Sequence, residues 1–160
     1  MTPESGDSRK TAQFEAATGD EAPLDVDPRK RAAAVRAAYD GLLEIRRLMN
    51  TTVDDPLATP AAWERHQPVR AVAIALEAAG IPPSAVGPDG HRPATGYRCA
   101  EAERAGAVRV EWLGPPGSGA AYAAGEELGN CARVLRGLGW EALEYRGRGR
   151  HRYLEVEALP

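Results

Sequence analysis

Apolar and polar residues alternate one by one in two short stretches of the C-terminal half and more loosely in two others, and this period of two is the signature of strands. In AVRVEWLG, residues 107–114, Val108, Val110 and Trp112 fall on one face and Arg109 and Glu111 on the other. In HRYLEVE, residues 151–157, Leu154 and Val156 oppose Tyr153, Glu155 and Glu157. GYRCAEAE, residues 96–103, and WEALEYR, residues 140–146, complete a set of four. One apolar and one charged face per strand describes an antiparallel sheet with a dry side and a wet side. Arg104-Ala105-Gly106 is short enough to close the first pair as a hairpin, and Gly147-Arg148-Gly149 the second.

Between the hairpins the period changes to three and four. Leu128, Cys131, Leu135 and Leu138 form one apolar stripe, which predicts a helix over 119–139 lying on the sheet. Gly114-Pro115-Pro116-Gly117 breaks the strand before it, Ser118 offers an oxygen to the helix start, and Gly139 stops the helix. Gly125 and Gly129 weaken that helix unless another group approaches closely there. Val69, Val72, Ala73 and Leu76 predict a second amphipathic helix over 68–79, stopped by Gly80 and preceded by a short turn of helix near Trp63. Residues 82–95 read as a loop. Val35, Tyr39, Leu42 and Met49 predict an earlier helix that opens at Asp27-Pro28, with Arg46 and Arg47 at its negative pole.

The order helix, strand, strand occurs twice, so the expected fold is α+β: a four-stranded antiparallel sheet with two helices on one face, as an αββαββ repeat. A helical lead-in over 28–58 precedes this domain, which spans 59–160. Residues 1–27 hold seven acids, two bases and few large apolar side chains, the composition of a disordered acidic tail. The whole chain has a formal charge of −3, so the part beyond the tail is mildly basic. No apolar run is long enough to span a bilayer and no secretion signal precedes the domain. A cytoplasmic protein with reduced thiols at Cys99 and Cys131 is expected.

Chemistry is sparse. His66, His91 and His151 have no second metal ligand at helical or hairpin spacing, and no metal site is expected. Ser118 in GPPGSGA belongs to no nucleophile elbow or phosphate loop, and the strand acids read as a wet sheet face. A non-catalytic protein without a cofactor is the expectation. One cluster stands out: Arg146, Arg148, Arg150, His151 and Arg152 crowd a hairpin bracketed by Tyr145 and Tyr153, with Arg133 and Arg136 on the preceding helix. Guanidinium groups contact phosphates and tyrosines stack on bases, so the first expectation is a nucleic-acid-binding accessory or regulatory factor. The second is a protein-interaction module, homodimeric in one version, using the open sheet face or the helix from residue 28 to 49. The third is a small-ligand sensor with a pocket near Trp112, Tyr122 and Trp140.

Overall fold

The structure, a computed structural model, describes residues 14–160. Its helices are α1 (Pro28–Met49), α2 (Ala62–His66), α3 (Pro68–Ala78) and α4 (Ala120–Gly137). Its strands are β1 (Gly96–Glu101), β2 (Val108–Leu113), β3 (Trp140–Arg146) and β4 (Arg152–Ala158). The sheet order is β1-β2-β4-β3 and every pairing is antiparallel. Two hairpins therefore meet through β2 and β4 at the centre, with β1 and β3 outermost. That order is what a twofold axis between two αββ halves produces.

The alternation in the strands sets the two faces. Tyr97, Cys99, Val108, Val110, Trp112, Trp140, Ala142, Leu154 and Val156 are buried together, against Ala71–Leu76 of α3 and Leu128, Cys131, Ala132 and Leu135 of α4. Both helices thus cover one face and leave the other bare. Gly125 turns out to be a close-packing point: a Cβ there would lie 3.2 Å from the Arg152 guanidinium. Ser118 does not cap α4; Gly119, in the left-handed region, occupies the N-cap, and Ser118 Oγ accepts only a long bond (3.4 Å) from the Ala120 amide. Asp27 precedes α1 but makes no side-chain cap.

Two charged residues are central to the packing. Arg46 and Glu64 are 1 % and 0 % exposed and meet in a bidentate pair, Nε to Oε2 and Nη2 to Oε1, both 2.7 Å. Arg46 Nη1 donates to the carbonyls of Leu57 (2.9 Å) and Leu138 (2.8 Å), and Glu64 Oε2 accepts the Ala61 amide at 3.0 Å. One guanidinium so joins the end of α1, the connection, α2 and the end of α4. The helix-dipole role expected for Arg46 is a minor part of what it does. Beside it Gly139 has φ +87°, and a Cβ there would stand 2.1 Å from the Ala58 carbonyl oxygen.

The segment read as a solvated tail differs from expectation where it is described; residues 1–13 lie outside the described residues. Residues 14–21 run along β1. Thr18 O accepts the Cys99 amide at 2.7 Å, and Ala17 O accepts the buried Tyr97 hydroxyl at 2.8 Å, which is also 3.2 Å from Ala73 O. Asp20 binds Arg92 and Arg98. Phe14 lies under the Arg31 guanidinium, 4.5 Å from ring centroid to Cζ, and Arg31 in turn pairs with Glu77. Backbone pairing and ion pairs hold this stretch, so its low apolar content did not reveal it. Together with Pro82 and Ser84, which bond the Tyr97 backbone, it covers the β1 edge. The β3 edge has no strand beyond it.

A buried pair that loses one member strands a charge, which costs about 3–5 kcal/mol. Glu64→Ala and Arg46→Ala should each lower the unfolding free energy by that amount in denaturant titrations. Arg36→Ala, which removes an exposed 3.8 Å pair with Asp40 and a guanidinium 5.5 Å from the Tyr39 ring centroid, should change it by less than about 1 kcal/mol.

Candidate nucleic-acid interface

The β3–β4 hairpin brings together seven of the residues singled out from the sequence. Tyr145 and Tyr153 face each other across the strands, as do Arg146 and Arg152. The turn holds Arg148, Gly149 and Arg150, and the Gly147 amide donates to His151 O at 2.7 Å. Gly149 and Arg150 both have positive φ, 64° and 63°. Arg150 is the one non-glycine residue with positive φ among the described residues. A left-handed backbone carries a cost of about 1 kcal/mol for such a residue, so a guanidinium stands where glycine or asparagine would sit more easily.

The arginines of this region divide into two groups. Arg152 is turned to the helix side, where it pairs with Glu144 at 2.8 Å and lies against Gly125. Arg146, Arg148 and Arg150 are exposed and have no carboxylate within 4.0 Å among the described residues. The bare sheet face has the opposite character, because its acids are largely neutralised. Glu111 is held by Arg98 (2.8 Å) and His151 (2.6 Å), and Arg104 reaches both Glu155 (2.6 Å) and Glu157 (2.7 Å). Burial alone would raise the Glu111 carboxyl; the hydrogen bonds from His151 and Arg98 outweigh it and hold the group below its ordinary value. Asp20 behaves alike: burial raises it, and Arg92 and Arg98 pull it below the usual range.

On that face the two tyrosines are stacked on each other, ring centroids 5.7 Å apart and planes 22° apart. Arg109 lies over the other tyrosine, with Cζ 3.8 Å from the Tyr153 centroid. Reading the sequence did not single out Arg109. Its place beside Tyr153 follows from β2 adjoining β4, and strand order has no signature in the local pattern.

Other expected site residues are not gathered here. Helix α4 starts at Ala120, meets the hairpin at Gly125 and runs away from it, so Arg136 stands about 16 Å along the axis from Gly125. Its guanidinium donates to Ala142 O at 2.6 Å, on β3, and Arg133 bonds Asn130 on its own helix. The proposed aromatic pocket does not assemble. Trp112 lies level with Arg152 of β4 and Trp140 opposite Ala158, about 20 Å apart along the strands, both buried in the core. Tyr122 is 98 % exposed. What Trp112 does border is a cleft of about 390 Å³ between the Gly114–Gly119 loop, the start of α4, and Gly149–Arg152.

No three His, Cys, Asp or Glu side chains among the described residues are grouped to hold a metal ion. Cys99 and Cys131 are unpaired and buried; desolvation pushes the Cys131 thiol up to about 12 and Cys99 well above its ordinary value, so neither is a thiolate near neutrality. No helix among the described residues is long and apolar enough to cross a membrane. The chain matches no protein-family model, and neither a curated protein nor a solved structure shows significant similarity to it.

The depressed Glu111 carboxyl gives a signed prediction. A carboxyl whose folded value lies below its unfolded value contributes stability that is complete above the unfolded value, 4.5, and is lost as pH falls through the folded one. Glu111→Gln should therefore flatten the loss of stability on acidification from about pH 5 to pH 3. An unaltered acid limb in the thermal melting temperature would contradict the network.

Proposed function

We propose that the protein is a non-catalytic nucleic-acid-binding factor that contacts phosphates through the β3–β4 hairpin. The observation that carries this reading is the contrast in arginine pairing. Arg31, Arg46, Arg92, Arg98, Arg104 and Arg152 each hold a carboxylate, while Arg146 at the end of β3 and Arg148 and Arg150 in the turn hold none among the described residues. Arg29, Arg65, Arg70, Arg109, Arg133 and Arg136 also hold none, but only at this hairpin do three such groups fall within five residues. Free guanidinium groups in a row suit the phosphates of a polyanion, which they neutralise with release of counterions. The left-handed backbone at Arg150 and the neutralised acids nearby support the same reading. Tyr145 and Tyr153 supply ring surface beside the charges.

Binding should weaken steeply with salt. Replacing Arg146, Arg148 and Arg150 together by Ala should remove up to three phosphate contacts and make the slope of log K against log salt shallower by about 2 on a single strand. An unchanged slope and affinity in a fluorescence-anisotropy titration would rule the hairpin out as the contact.

A second reading, a protein-interaction module that pairs with a further copy, rests on a separate surface. Ile45, Leu48 and Met49 at the end of α1, with Val53 and Leu57 after it, are all at least 40 % exposed. Grouped exposed apolar side chains mark association sites. This reading requires a solution mass above the 17.1 kDa of one chain, lowered to that value by Leu48→Glu with Met49→Glu. A monomer at every concentration in sedimentation equilibrium excludes it.

A further inference from the structure

Resting on the nucleic-acid reading above, we infer that the ligand class is single-stranded nucleic acid, with an unpaired base extending the Arg109–Tyr153–Tyr145 stack at the β3 edge. The stack crosses the bare face in strand order. Arg109 on β2 lies over the Tyr153 ring of β4, and that ring stacks on Tyr145 of β3. It ends at Tyr145, because β3 is the last strand of the sheet. Tyr145 is 40 % exposed, and Leu143, two residues along the same face, is 43 % exposed. An aromatic ring that is stacked on one side, at an edge with no further strand, offers its remaining surface to another flat ring.

Charge places the backbone of such a ligand. Arg146 follows Tyr145 at the same edge, level with Arg152 on the helix-side face, and Arg148 and Arg150 form the turn beyond it. A strand with one base on that ring therefore has its phosphates directed past the sheet edge toward guanidinium groups that hold no carboxylate among the described residues. Most acids nearby are paired, with Glu155 and Glu157 sharing the one Arg104 guanidinium. Glu111, Glu155 and Glu157 are held by arginines on the same face, and Glu144 is held by Arg152 on the other. Glu141, the remaining acid on that face of β3, lies four residues from Tyr145, about 13 Å along the strand.

The same geometry disfavours a duplex. A two-stranded ribbon reads DNA by entering a major groove about 12 Å wide. This hairpin is not a free ribbon. β2 runs level with it as far as Leu113, the Gly114–Gly119 loop flanks Gly149–Arg152, and α4 covers the helix-side face at Gly125. Four strands at about 4.8 Å spacing exceed the groove before the helices are counted. A base inside a duplex is also stacked on both sides already, so only an unpaired one is free to add to Tyr145.

The test uses the full chain and one mixed-sequence oligonucleotide without self-complementarity, as single-stranded DNA, as single-stranded RNA, and as the DNA duplex. The chain should bind the single strands at least about tenfold more tightly than the duplex. Tyr145→Ala and Tyr145→Leu should each lower single-strand affinity by about tenfold and leave duplex affinity nearly unchanged, while Tyr145→Phe retains the preference. Leucine keeps apolar bulk at the strand edge, so a loss in that variant reports the ring and not the fold. The DNA and RNA arms separate recognition of the 2′-hydroxyl from recognition of the unpaired base. Equal affinity for strand and duplex, or an equal loss on both in the tyrosine variants, would overturn the inference and leave the arginine reading standing. Unchanged affinity in the triple arginine variant would instead remove the reading on which it rests.

Discussion

The Arg46–Glu64 pair is the interaction on which the rest of the molecule depends. A charge taken out of water is costly unless every donor is met, and here Arg46 is met by a carboxylate and two carbonyls. Those partners come from three places in the chain: α2, the connection before it, and the end of α4. The Leu138 carbonyl is the last of them, and one residue later Gly139 turns the chain into β3 with a backbone only glycine fits against Ala58. The path from the helical lead-in to the arginine-bearing hairpin is therefore short and physical. Arg46 fixes the end of α4, the end of α4 sets where β3 starts, and β3 carries Tyr145 and the arginine turn.

Much of this was legible from local pattern. Alternation marked β2 and β4 plainly and β1 and β3 more loosely, and three- and four-residue spacing marked α3 and α4, because burial of one face imposes those periods wherever the elements end up. The second hairpin was legible for the same reason, and its arginines could be named before their surroundings were known. Strand order, and with it the meeting of Arg109 and Tyr153, was not legible, since β2 and β4 are separated by a helix and a strand in the chain. Arg46 looked like an ordinary basic residue at a helix end; its burial is set by residues 18 and 92 positions further on. The expected pocket near Trp112, Tyr122 and Trp140 did not assemble because Trp112 lies late in β2 and Trp140 opens β3 at the other end of the sheet, while Tyr122 faces solvent.

Residues 14–21 show a different limit. Composition predicts disorder when too little apolar surface is available for burial. This stretch is ordered mainly by hydrogen bonds to the β1 edge and by the ion pairs of Asp20, terms that depend on a partner strand elsewhere in the chain. The result is a sheet with unequal edges. One is covered by the N-terminal segment and the 82–84 loop; the other leaves Tyr145 partly exposed and Arg146, Arg148 and Arg150 without a carboxylate among the described residues.

The bare face thus combines two uses of the same residue type. Arg98 and Arg104, toward the covered edge, neutralise acids and hold the structure, while those of the hairpin turn have no such partner among the described residues. Titration of the isotope-labelled chain with a single-stranded oligonucleotide, followed by amide chemical shifts, tests this division most directly. The account predicts concerted shifts at Tyr145–Tyr153 and Arg109, with the amides around Arg46, Glu64 and Asp20 unmoved. Shifts concentrated along α1, or none anywhere at saturating oligonucleotide, would contradict it.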